Sequence, residues 1–237
     1  MSTYILVLST VFLAIFTQSL TGFGSALVSM ALLTQTLGLE LTAPLIALVS
    51  LMTEIALLLF YRRNVNLRVV WQLSVGAICG IPLGVVALKH VDEGILLSVL
   101  GAVLIGYALY ALLNLTPPGM EHKLWAVGLG FLAGLLGGAY NTSGPPVIVY
   151  GNCRGWSPAE FKGNLQGFFL LNSVFVVLGH AWSGNYSPVV WKNFLIAVPA
   201  IGLGLAAGLS LDKLLNPERF RKIVLGVLIL LGLRLLF

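Results

Sequence analysis

Thr21-Gly22-Phe23-Gly24-Ser25 and, 120 residues later, Asn141-Thr142-Ser143-Gly144-Pro145-Pro146 are the two stretches that decide the fold of this chain. Each interrupts a long apolar run with residues that stop helices, because proline lacks a backbone donor and glycine favours open backbone. Irregular backbone at membrane depth is tolerated only where it is buried in protein or lines a water-filled cavity. We therefore expect both stretches, called tip 1 (residues 21–25) and tip 2 (residues 141–146), to lie in the interior.

The same shift of 120 residues aligns other parts of the two halves of the chain. Matching positions are Val69-Val70-Trp71 and Val189-Val190-Trp191, Gly84 and Gly204, and Asp92 and Asp212. A five-residue insertion near Asn216 moves the later register, so that Val99-Leu100-Gly101 meets Val224-Leu225-Gly226. Internal symmetry in so apolar a chain is typical of a secondary transporter built from two repeats.

Composition places the chain in a membrane. Of its 237 residues 58% are hydrophobic and 9% charged, whereas a soluble domain carries about 25% charged residues. The apolar runs are long enough to cross a hydrocarbon core, which takes about 20 helical residues. The N-terminus has no positively charged region, so we expect no cleaved signal peptide. Basic residues lie in short loops between spans, where they orient the protein in the membrane rather than bind nucleic acid.

The predicted fold is an all-α polytopic membrane protein with two inverted-topology repeats, each a broken or re-entrant helical hairpin followed by three spans. The first repeat, 1–113, has its hairpin at 4–37 and its spans at 41–61, 68–88 and 94–113. A polar linker occupies 114–123. The second repeat, 124–237, has its hairpin at 124–153 and its spans at 162–182, 188–210 and 219–236.

The distribution of basic residues favours hairpins that enter and return. If all eight segments were simple spans, the Lys and Arg residues would divide six against seven. With two hairpins, three basic residues lie on one side, Lys89, Lys192 and Arg234. The other ten share the opposite side, and they are Arg62, Arg63, Arg68, Lys123, Arg154, Lys162, Lys213, Arg219, Arg221 and Lys222. This asymmetry obeys the positive-inside rule and predicts two extracytoplasmic termini in the cytoplasmic membrane. The count leaves open whether each hairpin re-enters or crosses fully.

The tips have the chemistry of an anion site. Helices that start at each tip direct free backbone N–H groups and a positive dipole end into the protein. Inverted hairpins would bring the tips together near the midplane, where such folds bind substrate. The alternative is that the glycines merely allow close helix packing. The candidate substrate-binding residues are Thr21, Gly22, Phe23, Gly24 and Ser25 at tip 1, and Asn141, Thr142, Ser143, Gly144 and Pro145 at tip 2.

Three motifs together resemble the TauE/SafE family of sulfite exporters: TGFG at 21–24, GGxxxTSGPPVIVY at 137–150 and FKGNLQGFFLLN at 161–172. The resemblance covers nearly the whole chain. It implies a membrane permease for sulfite, sulfonates or related organic anions. Members often carry Arg-Ala-Thr or similar where this chain has Lys162-Gly163-Asn164. Lysine keeps the positive charge but loses the bidentate fork of arginine, so substrate preference could differ.

Lys162, Asn164 and Glu54 are further candidates, each with a structural alternative. Lys162 would draw an anion into the cavity, or only snorkel to the interface. Asn164 would line the path, or hydrogen-bond a neighbouring helix. Glu54 is the acid well inside a predicted span and the candidate for proton coupling, since intramembrane acids are often functional. Its structural alternative is a partner for a polar group nearby, which we favour because Val174 occupies the matching position.

The sequence therefore predicts a secondary transporter that exports a small sulfur-containing or organic anion by alternating access. A passive anion channel and a proton-coupled uptake permease stay open as alternatives. An intramembrane enzyme is disfavoured, because the chain has no HExxH or GxSxG motif and no pair of membrane acids. We expect no cofactor and no metal, since Cys79 and Cys153 follow no ligand spacing. The expected partners are the anion and the lipid bilayer, with homo-oligomerisation left open.

Overall fold

A computed structural model describes residues 2–115, 120, 122–211 and 217–236. Part of the predicted 114–123 linker, with Asp212, Lys213 and Asn216, lies outside the described residues. Within the described ranges the chain forms ten α-helices and a short 3-10 helix, η1 (Arg62–Asn64). The α-helices are α1 (Ser2–Thr21), α2 (Ser25–Leu37), α3 (Leu39–Tyr61), α4 (Leu67–His90), α5 (Glu93–Leu112), α6 (Lys123–Tyr140), α7 (Gly144–Cys153), α8 (Pro158–Trp182), α9 (Pro188–Leu211) and α10 (Pro217–Leu236).

Seven of these helices are long and apolar enough to cross a membrane: α1, α3, α4, α5, α6, α8 and α9. The prediction of an all-α polytopic membrane protein is therefore confirmed. The helices that follow the tips are shorter, with 13 residues in α2 and 10 in α7. At 1.5 Å per residue they are about 20 Å and 15 Å long, less than the roughly 30 Å of a hydrocarbon core. Neither helix is long enough to cross a bilayer alone.

Carboxylate and hydroxyl groups bond the first residues of α3, α5 and α8. Asp92 Oδ1 accepts the N–H of Gly94 at 2.9 Å at the start of α5. Glu93 Oε1 accepts the N–H of Leu39 at 2.6 Å and so ties the start of α3 to that of α5. Helix α8 begins before the predicted position 162, because Ser157 and Glu160 form a capping box ahead of it.

The chain divides into two compact units, and the first, unit 1, comprises Met1–Val49, His90–Leu115 and Tyr186–Phe237. Helix α9 packs on α1 so closely that a Cβ added at Gly208 would lie 2.4 Å from Ser19 Cβ. Helices α5 and α10 meet in the same way, and a Cβ at Gly101 would lie 2.7 Å from the carbonyl oxygen of Gly232. Small residues at these crossings let helix backbones approach, as membrane helix pairs require.

Unit 2 comprises Ser50–Lys89 and Thr116–Asn185. Its core is a glycine-lined crossing of α4 and α6. A Cβ at Gly80 would lie 2.2 Å from the carbonyl oxygen of Phe131, and one at Gly134 would lie 2.2 Å from that of Ala77. Backbone cannot move aside as a flexible side chain can, so any larger residue at these positions forces the two helices apart.

Each unit contains helices from both predicted repeats. Unit 1 holds α1, α2 and α5 from the first and α9 and α10 from the second, whereas unit 2 holds α4 from the first and α6, α7 and α8 from the second. The division into repeats at 1–113 and 124–237, and their inverted orientation, stay predictions.

Large apolar side chains remain exposed on both units. In unit 2, Phe60 is 69% exposed and Trp182 95%, and in unit 1 Leu195 is 66% exposed. A soluble monomer rarely leaves so much apolar surface in water. These surfaces suit contact with lipid and agree with the spans.

Candidate functional site

Tip 1 is a turn that only glycine adopts easily. Helix α1 ends at Thr21, and the N–H of Gly22 donates to Gln18 O at 2.7 Å. Gly22 has φ 85° and Gly24 has φ 103°, a left-handed region in which a Cβ is strained. Both glycines of the TGFG motif are therefore needed to reverse the chain between α1 and α2.

The start of α2 at tip 1 is buried and has no side-chain cap. The first bond of the helix runs from the N–H of Val28 to Gly24 O at 3.0 Å, so the N–H groups of residues 25–27 have no acceptor within the helix. Phe23 and Ser25 are each 5% exposed. Thr21 offers no spare donor, because its hydroxyl lies 2.8 Å from Thr17 O and 2.6 Å from Phe23 O. Tip 1 thus presents backbone donors and the positive end of a helix dipole in a buried environment.

A cation from another part of the sequence lies beside tip 1. The Arg221 guanidinium lies 5.9 Å from the centroid of the Phe23 ring, within cation–π range. The Phe23 ring also meets Tyr107 edge to face, with centroids 5.8 Å apart. A narrow cavity runs along this side of the tip. Its lining consists of Thr21, Phe23, Gly24 and Arg221, together with five apolar or hydroxyl neighbours on α1, α2 and α10.

Tip 2 reverses the chain with asparagine rather than glycine. Asn141 is left-handed, with φ 54°, and its N–H donates to Gly137 O at 2.8 Å to close α6. Gly144 is the first residue of α7 and its φ is not positive. A Cβ there would meet Phe169 Cζ at 3.6 Å and Ile148 Cδ1 at 3.7 Å, an ordinary contact. Gly144 is thus not required for the turn, unlike Gly24.

The start of α7 at tip 2 has few backbone donors. Pro145 and Pro146 follow Gly144 directly, and proline has no N–H. Of the first three helical positions only Gly144 carries one. The Thr142 hydroxyl donates to Tyr140 O at 3.0 Å, whereas Ser143, 4% exposed, makes no side-chain cap to the helix. The prolines that suit the first turn also remove two donors from the predicted anion site.

A side-chain amide lies next to tip 2. The Asn172 amide packs on Gly137, where an added Cβ would lie 2.9 Å from its Nδ2. Asn172 is 5% exposed, and its Oδ1 has no hydrogen-bond partner among the described residues. Gly137 also accepts the N–H of Asn141, so the amide lies within one helical turn of the tip. A polar group so placed supplies donor and acceptor capacity that the tip-2 backbone lacks.

Lys162 contacts the end of α3, and Asn164 contacts the loop between η1 and α4. Lys162 Nζ lies 3.4 Å from the Tyr61 hydroxyl and 5.4 Å from its ring centroid. Asn164 Oδ1 accepts the N–H of Asn66 at 2.7 Å and is 1% exposed. Asn164 Oδ1 therefore holds the η1–α4 loop against α8, and its place on the substrate path stays a prediction.

Glu54 is buried in unit 2, 3% exposed, and has an interaction partner. That setting agrees with the structural alternative, and its proton-coupling role stays a prediction.

Known proteins resemble this chain across almost its full length. The family model described as "Sulfite exporter TauE/SafE" matches residues 7–235. The chain belongs to this family. It is also 29% identical over 226 residues to a protein of Cupriavidus necator named "Probable sulfite/organosulfonate exporter TauE", covering 92% of this chain and 88% of that protein. No solved structure matches the chain. The resemblance inferred from its motifs is thus confirmed, and the protein is a multi-pass member of a family of membrane transporters rather than enzymes.

Two residues of the TauE/SafE site region escaped the sequence reasoning. Arg221 was counted only as an orienting charge, although Arg221, Leu225 and Leu228 form an i, i+4, i+7 stripe that is typical of one helix face. Leu225 and Leu228 are buried, so Arg221 starts the buried face of α10. Asn172 is the last residue of the FKGNLQGFFLLN motif, but its place beside tip 2 depends on the packing of α8 on α6, which no local pattern encodes.

Proposed function

We propose that this TauE/SafE protein is a secondary transporter that exports a small sulfur-containing or organic anion, of the sulfite and organosulfonate class, across the cytoplasmic membrane by alternating access. The observation that carries the proposal is the buried start of α2 at tip 1, where no side chain caps the helix. Uncapped N–H groups in a low-dielectric interior bind negative groups, and the name of the Cupriavidus necator relative supports sulfite and organosulfonates as the class.

Export needs no coupling ion in principle. A membrane potential negative inside favours exit of an anion by about 2.3 kcal/mol per charge per 100 mV. Donors at each tip replace part of the hydration shell that the anion leaves behind, which is the function of the uncapped N–H groups and of nearby amides. Uptake against this potential would require an ion, and Glu54 is then the first residue to test.

Two corresponding helix crossings support the repeat on which alternating access depends. In unit 2 a Cβ at Gly84 would lie 2.2 Å from Leu135 O, and in unit 1 a Cβ at Gly204 would lie 3.0 Å from Ile15 Cβ. The shift of 120 residues converts Gly84 into Gly204 and Ile15 into Leu135. Each unit thus pairs the fourth helix of one repeat with the first helix of the other, as two rocking halves would require.

Counterflow in proteoliposomes tests the proposal. Vesicles loaded with unlabelled sulfite, sulfoacetate, taurine, sulfate or a small carboxylate are diluted into labelled sulfite, with protein-free vesicles as the control. A carrier gives transient, saturable accumulation of label with one or more of these anions inside. Label that never exceeds equilibrium, with conductance far above carrier turnover, would instead establish the passive channel.

The same proposal includes the orientation of the chain, with both termini extracytoplasmic. Reporter fusions at Arg63 and at residue 237 test it, since the first should be cytoplasmic and the second should not. Equal reporter signals at the two positions would contradict the hairpin topology.

A further inference from the structure

Arg221 connects two cavities of unit 1. The narrow cavity beside tip 1 includes Phe23, Gly24 and Arg221 in its wall. A second cavity of about 190 Å³ is lined by Asn114, Arg221 and Lys222 together with apolar residues of α5 and α10. A water molecule takes about 30 Å³ of liquid volume, so this cavity has room for a small oxyanion. The guanidinium is the polar group that both cavities share.

One nitrogen of the Arg221 side chain, Nε, is buried without a hydrogen-bond partner among the described residues. The described contact of the guanidinium is with the face of the Phe23 ring. The hydroxyl of Tyr107, which packs on the same ring, is also buried and lacks a partner in the described part of the chain. Buried polar atoms are normally hydrogen-bonded, so two such atoms in residues that contact the Phe23 ring indicate a missing polar ligand.

We propose that Arg221 is the residue that recognises the anion at tip 1, and that the cavity formed with Asn114 and Lys222 is an outer anion site from which the substrate reaches it. This inference rests on the proposed function and names one of its selecting residues. A planar guanidinium pairs two N–H groups with two oxygens of one anionic group, which a lysine cannot do. A sulfite or sulfonate group presents such oxygens, so the site selects oxyanions over halides.

Neutralising the end of α5 is the competing explanation for the two cations, because helix C-termini attract positive charge. Lys222, which is exposed, would serve that end equally well. Neutralising the end of α5 would not require a guanidinium whose Nε is buried beside Phe23. The burial of Arg221 Nε beside Phe23 is thus better explained by a ligand of tip 1.

Titration of the purified full-length protein with sulfite, followed by thermal shift and by proteoliposome counterflow, tests the inference. Arg221→Met should weaken apparent sulfite affinity by about 10-fold or more, the loss typical of a hydrogen-bonded charge. Arg221→Lys should bind sulfite several-fold more weakly and should discriminate less between sulfite and chloride. Arg219→Met is the matched control, since Arg219 carries an equal charge two residues earlier in α10 but is exposed, and the affinity of this variant should stay near that of the unaltered chain.

The outcomes separate the inference from the function. If the unaltered protein responds to sulfite and Arg221→Met responds equally, the inference fails and the proposed function stands. Equal losses in Arg219→Met and Arg221→Met would also overturn it, because general charge would then explain both. If the unaltered protein responds to none of the anions, the function fails and the inference with it. Repeating the titration in nanodiscs with and without anionic lipid identifies the source of the ligand, since competition by lipid would assign Arg221 to headgroups instead.

Discussion

Tip 1 and tip 2 occupy equivalent places in the sequence but present different chemistry. At tip 1 two left-handed glycines reverse the chain, and the three N–H groups that follow have no acceptor within α2. The guanidinium of Arg221 lies beside Phe23 of this tip. At tip 2 Asn141 makes the turn, two prolines remove donors from the first turn of α7, and the Asn172 amide lies nearby. We therefore propose that tip 1 binds negative charge through backbone donors and a cation, whereas tip 2 contributes a neutral side chain.

The difference indicates that the two halves do not contribute equally. A helix N-terminus with free N–H groups and an adjacent cation stabilises an anion through charge–dipole and ionic terms. An amide beside a proline-capped helix provides direction but little net charge. We expect tip 1 to bind the charged group of the substrate and tip 2 to contact the rest of the molecule.

The largest effect is expected from the glycines themselves. Gly24→Ala places a Cβ at φ 103°, which costs about 1–2 kcal/mol, and it should strongly reduce counterflow while the protein stays in the membrane. Gly144→Ala makes only ordinary contacts and should keep most activity. Gly24→Leu and Gly144→Leu should both abolish transport, the second because a large side chain fills the space before Phe169. Similar activity in the two alanine variants would remove the backbone distinction between the tips.

The next effect concerns the amide at tip 2. Asn172→Ala should weaken the affinity for an organosulfonate more than for sulfite, because we expect the amide to contact the part of the substrate away from its charge. Asn193→Ala is a matched control on α9: Asn193 is also 5% exposed, with an Oδ1 that has no partner among the described residues. Titration of both variants with sulfite and sulfoacetate measures the contrast. Parallel losses in the two variants would mean that Asn172 serves only stability.

A smaller, favourable effect is expected from restoring a donor. Pro145→Ala returns an N–H to the first turn of α7 and should tighten anion binding by a few-fold, since one hydrogen bond contributes about 0.5–1.5 kcal/mol. The same change lowers thermal stability slightly, because proline restricts the unfolded chain. Sulfite titrations of the variant and the unaltered protein test this. Unchanged or weaker affinity would show that the tip-2 backbone does not face the anion.

The smallest effect is expected at Glu54, which belongs to neither tip. If the tips and the membrane potential suffice for export, Glu54→Gln should leave the shape of the pH profile of counterflow unchanged. Any loss should then appear in stability alone, because the residue is buried with a partner. A profile that flattens or shifts in the variant would assign proton coupling to Glu54 and turn the mechanism towards uptake.

Much of the architecture was predictable because a membrane helix can be recognised from a local stretch of apolar sequence. Lipid demands that each span be a continuous apolar helix with its backbone bonds satisfied internally, so α3, α4 and α9 follow from hydropathy alone. The helix interruptions at Gly24 and Pro145 were equally predictable, since glycine and proline change the conformation of the backbone at their own positions. The family followed from motifs at the same positions. The first residues of α3 and α8 were less predictable, because Glu93 and the Ser157–Glu160 capping box set them through specific hydrogen bonds.

The sequence by itself determined the class of the protein, its helices, its family and the two breaks, because each of these depends on residues that are neighbours in the chain. Tertiary structure decided which polar groups accompany each break. Arg221 meets Phe23 across almost 200 residues of chain, and Asn172 meets Gly137 through a helix crossing. Only packing could decide such pairings, because the energy of a contact between distant residues depends on how the intervening helices cross, and no local pattern contains that information.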